Sequence, residues 1–321
     1  MTLRLIKIKL DIFKIISRDG AIIFLEEDEL MPKSLSVIVP IYNEEECITR
    51  IVPEMLNFCR ERHWKLIFVN DGSTDKTKAL LQSYADDDTV LIIHHKLNRG
   101  YGAAVKSGIF AADTDYCITI DADGQHVLED VEKLFNRILE TDADMIVGSR
   151  KGLKSANLSR RIGKGLIRLF ARMLMPLPIY DINSGMRIFD TKLGQKVAHL
   201  CPDGMSFCDT FTLVFVNFRY LVLEEPISIR ERHAGVSKAR LHTALETVME
   251  LLNFVVLFNP LRVFLPLSIF FFIPGLFWGI HMFLLGRGIS GGASILMIMG
   301  VLLFVLGFIS EQITLIRRHI R

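Results

Sequence analysis

Hydrophobic positions along this chain fall into two patterns. Short, unbroken apolar runs stand in "LSVIVPIYN", "WKLIFVND", "TVLIIHH" and "YCITIDAD", each closed by polar residues. Between them lie longer stretches with apolar residues at helical spacing, "EEECITRIVPEMLNFCRER", "GSTDKTKALLQSYA" and "GYGAAVKSGIFAA". Buried strands alternating with helices of about ten residues or more predict βαβ units and a mostly parallel sheet covered on both faces. The expected fold class is therefore α/β. From Met145 to Arg240 the pattern is mixed and rich in loops, and "ALETVMELLNFVVLF" then predicts an amphipathic helix.

The second pattern is an absence of charge. No Asp, Glu, Lys or Arg occurs from Val263 to Leu285, or from Gly288 to Ser310. Each run is long enough to cross a bilayer core of about 30 Å, so two transmembrane helices are predicted. The link "GRGISGG" allows only a tight hairpin, so both outer ends lie on one side. Lys238, Arg240 and Arg262 before the hairpin and Arg317, Arg318 and Arg321 after it, against Arg287 in the loop, put the large N-terminal region in the cytoplasm. Two buried helices of a soluble protein are the alternative. Four regions result: an N-terminal arm over 1–33, an α/β domain over 34–240, an interfacial amphipathic helix over 241–260 and a hairpin over 261–316.

Composition changes this picture little. The chain has 321 residues, more than one compact core usually needs. Mean hydropathy is +0.34, an excess concentrated in the hairpin. The N-terminus "MTLRLIKIKLDIFKII" lacks a cleavage site and reads as an amphipathic or disordered arm. Five cysteines without a CxxC pair suit free thiols in a reducing compartment. His199, Cys201 and Cys208 have no standard zinc spacing and read as core. A net charge of +2 gives no reason to expect nucleic acid.

The chemistry sits where the apolar runs end. In open parallel sheets ligands gather at the carboxyl edge of the strands. "YNEEE", "NDGSTD", "NRGYG" and "DADGQH" all fall there, so four loops share one crevice. Strand alternation, continued through "IDAD", turns Asp121 and Asp123 the same way. Two like charges this close repel, and burying either is costly without a cation or donors. One divalent ion relieves both, because Mg²⁺ or Mn²⁺ takes one or two carboxylates and fills its shell with water and substrate phosphates. A glycosidase-like acid pair is the rival use, but such carboxyls normally come from separate strands. A dinucleotide fingerprint fails at Val105, and Gly163-Lys164 is followed by Gly165, so no Walker loop is present.

"VPIYNEEE", "VNDGSTD", "NRGYGAAVKSGI", "IDADGQH" and "VGSR" stand in the order found in family 2 glycosyltransferases of the GT-A fold. With "DINSGMRIF", "EEPISIRERHAGVSK" and the closing hairpin, the chain resembles the polyprenyl-phosphate glycosyltransferases similar to dolichol-phosphate mannose synthase. By motif the resemblance covers roughly Ser34 to Lys238, and by architecture the remainder. It implies inverting transfer of one hexose or N-acetylhexosamine from a UDP- or GDP-sugar to undecaprenyl or dolichyl phosphate. It also implies site roles. Pro40, Tyr42 and Glu44 would hold base and ribose with Asp71 beneath the base. Asp121 would touch both nucleotide and metal, joined at the metal by Asp123 and Gln125. Arg150 and one of Arg160 or Arg161 would clamp the lipid phosphate, and Arg232 with Lys238 would close over the donor phosphates. Structural alternatives stand beside these: Pro40 ends a strand, Tyr42 packs, Glu44 or Asp75 caps a helix, and Asp181 is a turn acid. Where relatives carry "SRxAN", this chain has "RRIGK", which leaves the choice of arginine open.

An acceptor phosphate monoester has a second pKa near 6, so it is already a dianion at neutral pH and needs no strong base. The difficulty is bringing it to a donor diphosphate, and the arginines at 150, 160, 161, 187, 230 and 232 suit that task. Asp209, where many relatives carry an acid often described as the base, then orients the sugar or an arginine. The membrane, the nucleotide-sugar and the lipid phosphate are the expected partners, and a homo-oligomer is compatible with them. A polysaccharide synthase would carry a QxxRW element, which neither Trp64 nor Trp278 supplies. A non-catalytic membrane scaffold that keeps the fold is the remaining alternative.

Overall fold

The computed structural model describes residues 5–8, 12–16, 22–26, 33–150, 179–182, 184–228, 256, 258–288 and 290–319. Near the N-terminus, β1 (Leu5–Ile8), β2 (Ile12–Ile16) and β3 (Ile22–Glu26) pair antiparallel in the order β1-β2-β3. This differs from the expected amphipathic or disordered arm. "LRLIKIKL" alternates apolar and basic residues at nearly every step, which is a strand period rather than a helical one.

The main sheet is built from β4 (Leu35–Ile41), β5 (Lys65–Asn70), β6 (Val90–His94), β7 (Tyr116–Thr119), β8 (Met145–Ser149), β9 (Arg187–Asp190) and β10 (Val222–Pro226). Its order is β10-β8-β9-β7-β4-β5-β6. The β10-β8, β7-β4, β4-β5 and β5-β6 pairs are parallel, as the sequence pattern predicts, whereas β9 runs antiparallel to both β7 and β8. β9 falls in the stretch whose pattern is mixed, and its reversal brings its N-terminal end to the edge where the parallel strands finish.

Alternation on β4 separates two cores. Leu35, Val37, Val39 and Ile41 face one side and Ile38 the other. On the first side pack α1 (Glu45–Glu61) and α4 (Leu128–Thr141), through Ile48, Val52, Met55, Val131, Leu134 and Ile138. Between them in the chain come the short α2 (Thr77–Gln82) and α3 (Tyr101–Ala111). The second core joins α3 to α5 (Thr191–Ala198) and α6 (Phe207–Asn217). Phe189, Phe207, Phe211 and Phe215 are fully enclosed there, and burial of each stabilises the fold by about 1.5–3 kcal/mol. Pro40 is tolerated in this central strand because β7 pairing stops at Ile38↔Thr119, so its missing N–H leaves no ladder bond unmade.

Two long apolar helices follow, α7 (Leu261–Leu284) and α8 (Gly291–His319), both long enough to cross a membrane. They pack on each other through small residues, and Ser268 Oγ donates to the Gly300 carbonyl at 2.8 Å. Most of their large apolar side chains face outward. Phe258, just before α7, is buried in the second core, and Asn259 Nδ2 donates to Asn217 Oδ1 at 3.0 Å. The root of the hairpin therefore rests on the C-terminal end of α6. Apart from residues 256 and 258–260, the expected amphipathic helix over 241–260 lies outside the described residues.

Candidate active site

The loops after β4 and β5 are laced together before any ligand is considered. Asn43 accepts the Thr74 N–H at 2.8 Å, and its own N–H reaches Ser73 Oγ at 3.0 Å. Asp75 accepts the Glu45 N–H at 3.2 Å and the Thr77 N–H at 3.0 Å, so this acid caps the starts of α1 and α2 together. Burial alone would raise its pKa, but the Thr77 and Glu45 donors outweigh that and lower it. Glu44 occupies the N-cap position of α1 with no side-chain cap bond. Tyr42, just past the end of β4, is exposed, and Pro40 within that strand is buried.

Asp71 is almost wholly buried and holds the next loop. Its Oδ1 accepts from the Arg99 N–H at 2.9 Å and contacts His95 Nδ1 at 2.7 Å, and its Oδ2 accepts the Gly100 N–H at 2.8 Å. His95 Nε2 in turn lies 2.9 Å from Ser107 Oγ. A carboxylate offers about four acceptor sites, so one remains for a ligand. Asp71 thus organises the "NRGYG" loop whatever it binds.

Asp121 lies at the centre. Strand β7 ends at Thr119, so Asp121 and Asp123 sit in the following turn and strand alternation does not set their directions. Asp123 Oδ1 accepts the Gln125 N–H at 3.1 Å, which tightens that turn. Asp121 Oδ1 accepts from Tyr101 Oη at 3.2 Å, and Oδ2 lies 3.4 Å from His126 Nε2. Gly185 presses on the same carboxylate, where a Cβ would collide with Oδ2. Burial pushes the Asp121 carboxyl up, but the His126 and Tyr101 hydrogen bonds and the Arg187 charge outweigh it and hold it below the usual range. The acid is ionised, with 37 % of its side-chain surface open.

Arg150 follows β8 at the same edge. Its Nε and Nη2 grip Asp181 at 2.7 and 2.8 Å, and its backbone N–H also reaches Asp181 at 3.1 Å. The Asp181 hydrogen bonds raise the Arg150 pKa against burial, with smaller contributions from the charges of Asp121 and Asp209. Asp181 is itself held by Glu224 Oε1, which accepts its N–H at 2.8 Å. Asp209 sits in the first turn of α6. Arg187, one of the arginines suited to phosphate, is wholly enclosed and offers no exposed surface to a phosphate. Arg160, Arg161, Arg232 and Lys238 lie outside the described residues.

The structure therefore brings together Asp71, Asp121, Asp123, Gln125, Arg150 and Asp209 at one sheet edge. Sequence reasoning missed Tyr101, His126, Ser184, Gly185 and Glu224. All five lie inside motifs quoted above, but no local pattern sets their contacts, and the 184–185 contact depends on the reversed β9. Among the described residues, no group of three His, Cys, Asp or Glu side chains is arranged to hold a metal ion. Asp121, Asp123 and Gln125 nevertheless offer hard oxygen donors, which fit Mg²⁺ or Mn²⁺ when substrate supplies the remaining ligands. The five cysteines are free thiols; burial pushes Cys201 up to about 12 and raises Cys208 as well.

A family model described as Glycosyl transferase family 2 matches residues 36–204, and one described as GtrB C-terminal hairpin matches residues 259–316. A polyprenol monophosphomannose synthase of Mycolicibacterium smegmatis is 30 % identical over 213 residues, 63 % of this chain and 79 % of that protein. An undecaprenyl-phosphate 4-deoxy-4-formamido-L-arabinose transferase of Pectobacterium carotovorum is 28 % identical over 235 residues, 72 % of this chain and 70 % of that one. Among solved structures, glucosyl-3-phosphoglycerate synthase from Mycobacterium tuberculosis, crystallised with uridine diphosphate, superposes with a TM-score of 0.52 at 15 % identity. That match covers 70 % of this chain and 79 % of the synthase, and at this identity it speaks for the fold alone. The same synthase has also been crystallised with Mn²⁺ and UDP-glucose.

Proposed function

The chain belongs to glycosyl transferase family 2, and on that premise we propose that it moves one sugar from a nucleoside diphosphate to a polyprenyl phosphate, with inversion, at the cytoplasmic face of a membrane. One observation carries the lipid acceptor. The hairpin root packs on the end of α6 through Phe258 and Asn259, and the first turn of that helix carries Asp209. Asn217 lies eight helical steps beyond Asp209, about 12 Å. The acid-lined crevice and the bilayer surface are thus tied by one short rigid element, and anchoring gives a lipid-borne phosphate a high effective concentration.

In this reading the phosphate dianion attacks the anomeric carbon. A phosphate oxygen to carbon bond forms, and the bond from that carbon to the donor diphosphate breaks. Tyr42, Glu44 and Asp71 would line the base and ribose side. Asp121, Asp123 and Gln125 would hold Mg²⁺ or Mn²⁺, which when bound neutralises charge on the diphosphate. Tyr101 and His126 keep Asp121 ionised and pointed. Arg150, with its fork already fixed by Asp181, presents a preorganised positive charge, and Arg160 or Arg161 with Arg232 and Lys238 would complete the cationic surface. Asp209 orients the sugar or Arg150. The Lys and Arg asymmetry about the hairpin supports a cytoplasmic site.

The test is purified full-length protein in detergent, given UDP-glucose, UDP-N-acetylhexosamine and GDP-mannose with undecaprenyl or dolichyl phosphate. Nucleotide release that requires the lipid phosphate is expected for at least one pairing. Its absence with every pairing rules the proposal out.

A further inference from the structure

A guanidinium that never meets solvent needs a full set of acceptors or an anion, because burying a charge is costly. Arg187, the first residue of β9, is such a group, and no carboxylate among the described residues forms an ion pair with it. Its Nη1 donates to the Cys208 carbonyl and lies 3.3 Å from Thr212 Oγ1; its Nη2 donates to the Ser184 carbonyl; its Nε has no partner. A side chain that only filled this volume would gain nothing from the charge.

The two arms of the fork reach different segments. One holds the backbone of Ser184, next to the Gly185 that presses on Asp121, while Thr119 Oγ1 donates to the Gly185 carbonyl at 2.8 Å. The other holds the first turn of α6 at Cys208, the residue before Asp209, and Cys208 Sγ reaches Tyr101 Oη at 3.5 Å. Tyr101 Oη closes the circuit on Asp121. We propose that Arg187 is a positioning residue for sugar transfer, clamping the Ser184–Gly185 strap and the first turn of α6 into one block and so setting Asp209 relative to Asp121. This rests on the reading above, in which both acids face the donor sugar.

Two independent measurements test it on the full-length protein in detergent. Hydrogen exchange needs no substrate. Arg187→Lys keeps the charge but loses the fork, and amides of 184–186 and 207–212 should exchange together about tenfold faster or more, with α1 unchanged. Wild-type protection in either segment overturns the clamp, whether or not the chain transfers sugar. The second measurement is a double-mutant cycle in kcat. Arg187→Lys should lower kcat about 30-fold with donor KM within about threefold, yet cost less than about threefold more in an Asp209→Asn background. Losses that simply multiply would mean that Arg187 does not act through Asp209. If Arg187→Lys does not fold, Thr212→Val, which removes one acceptor of the same arm, takes its place. It should accelerate exchange of 207–212 and lower kcat about three- to tenfold, and unchanged values overturn the proposal. A wild-type protein that turns over no sugar donor defeats the transfer reading and leaves the exchange result to decide the clamp.

Discussion

Asp71 shows how a single carboxylate is committed by its surroundings. Three of its roughly four acceptor sites are taken by His95, Arg99 and Gly100, so it fixes a loop first and offers a ligand at most one further contact. In Asp71→Asn, one oxygen becomes an NH₂ that cannot accept the Gly100 or Arg99 N–H. Leaving that buried donor unmet costs about 1–3 kcal/mol. Donor KM should rise about tenfold, more than kcat falls, and steady-state kinetics with varied nucleotide-sugar checks this. Asp123→Ala should instead remove metal-dependent turnover, by about a thousandfold, while the protein stays folded and membrane-bound. Full activity in that variant would strip Asp123 of a metal role. Asp209→Asn should slow transfer about ten- to a hundredfold without erasing it, because the phosphate nucleophile is already ionised. Complete loss in a folded protein would make Asp209 a proton acceptor after all.

The decisive element is β9. Its pairing with β7 and β8 is antiparallel, so Ser184 and Gly185 arrive at the edge where β4, β5, β7 and β8 end. There Gly185 touches Asp121 with no room for a Cβ. Gly185→Ala must push either the strap or the Asp121 carboxylate aside, and the latter is already held by Tyr101 and His126. Activity should fall at least about a hundredfold with a fall in melting temperature of only a few degrees, since overpacking costs about 1–3 kcal/mol. Kinetics and thermal unfolding measured together test this, and near-normal kcat would show that the Asp121 position is not critical. α6 is the second such element. Its N-terminal turn carries Asp209 and its C-terminal end receives the hairpin root. In the proposed reading, this one helix would join the acid-lined edge to the root of the apolar hairpin.

Across the whole molecule, acid stability follows from a few well-supplied carboxylates. Asp115 ties Ser34, at the start of β4, to the loop before β7, accepting its N–H and hydroxyl, both at 2.8 Å. Burial would raise its pKa, but those Ser34 hydrogen bonds and the Lys33 charge lower it, and Asp75 is lowered against burial by its Thr77 and Glu45 donors. A depressed folded-state pKa gives stability that is fully present above the unfolded value, about 3.9 for Asp, and lost as pH falls below it. The melting temperature in detergent should thus be flat near neutral pH and fall below about pH 4, with a shallower fall for Asp115→Asn. A variant curve parallel to wild type would mean that Asp115 makes no such contribution.

At this scale the division between pattern and packing is clear. The apolar runs alone determine the parallel strands β4 to β7, the helices α1 and α3 between them and the two long apolar helices, because periodicity and length are local and each element must bury its own apolar face. The clustering of four polar loops follows from the parallel sheet those elements make. The chain alone also places the acids of "IDAD" at a strand end, because apolar residues give way to charge there. Other features depend on residues far apart in sequence. The reversal of β9 at the centre of the sheet, the enclosure of Arg187 and the saturation of Asp71 by the 95–100 loop have no local signature. The same holds for the pairing of Arg150 with Asp181 and the seating of Phe258 against α6. Each is settled only when distant segments compete for the same buried volume and the same hydrogen-bond partners, which folding in three dimensions alone decides.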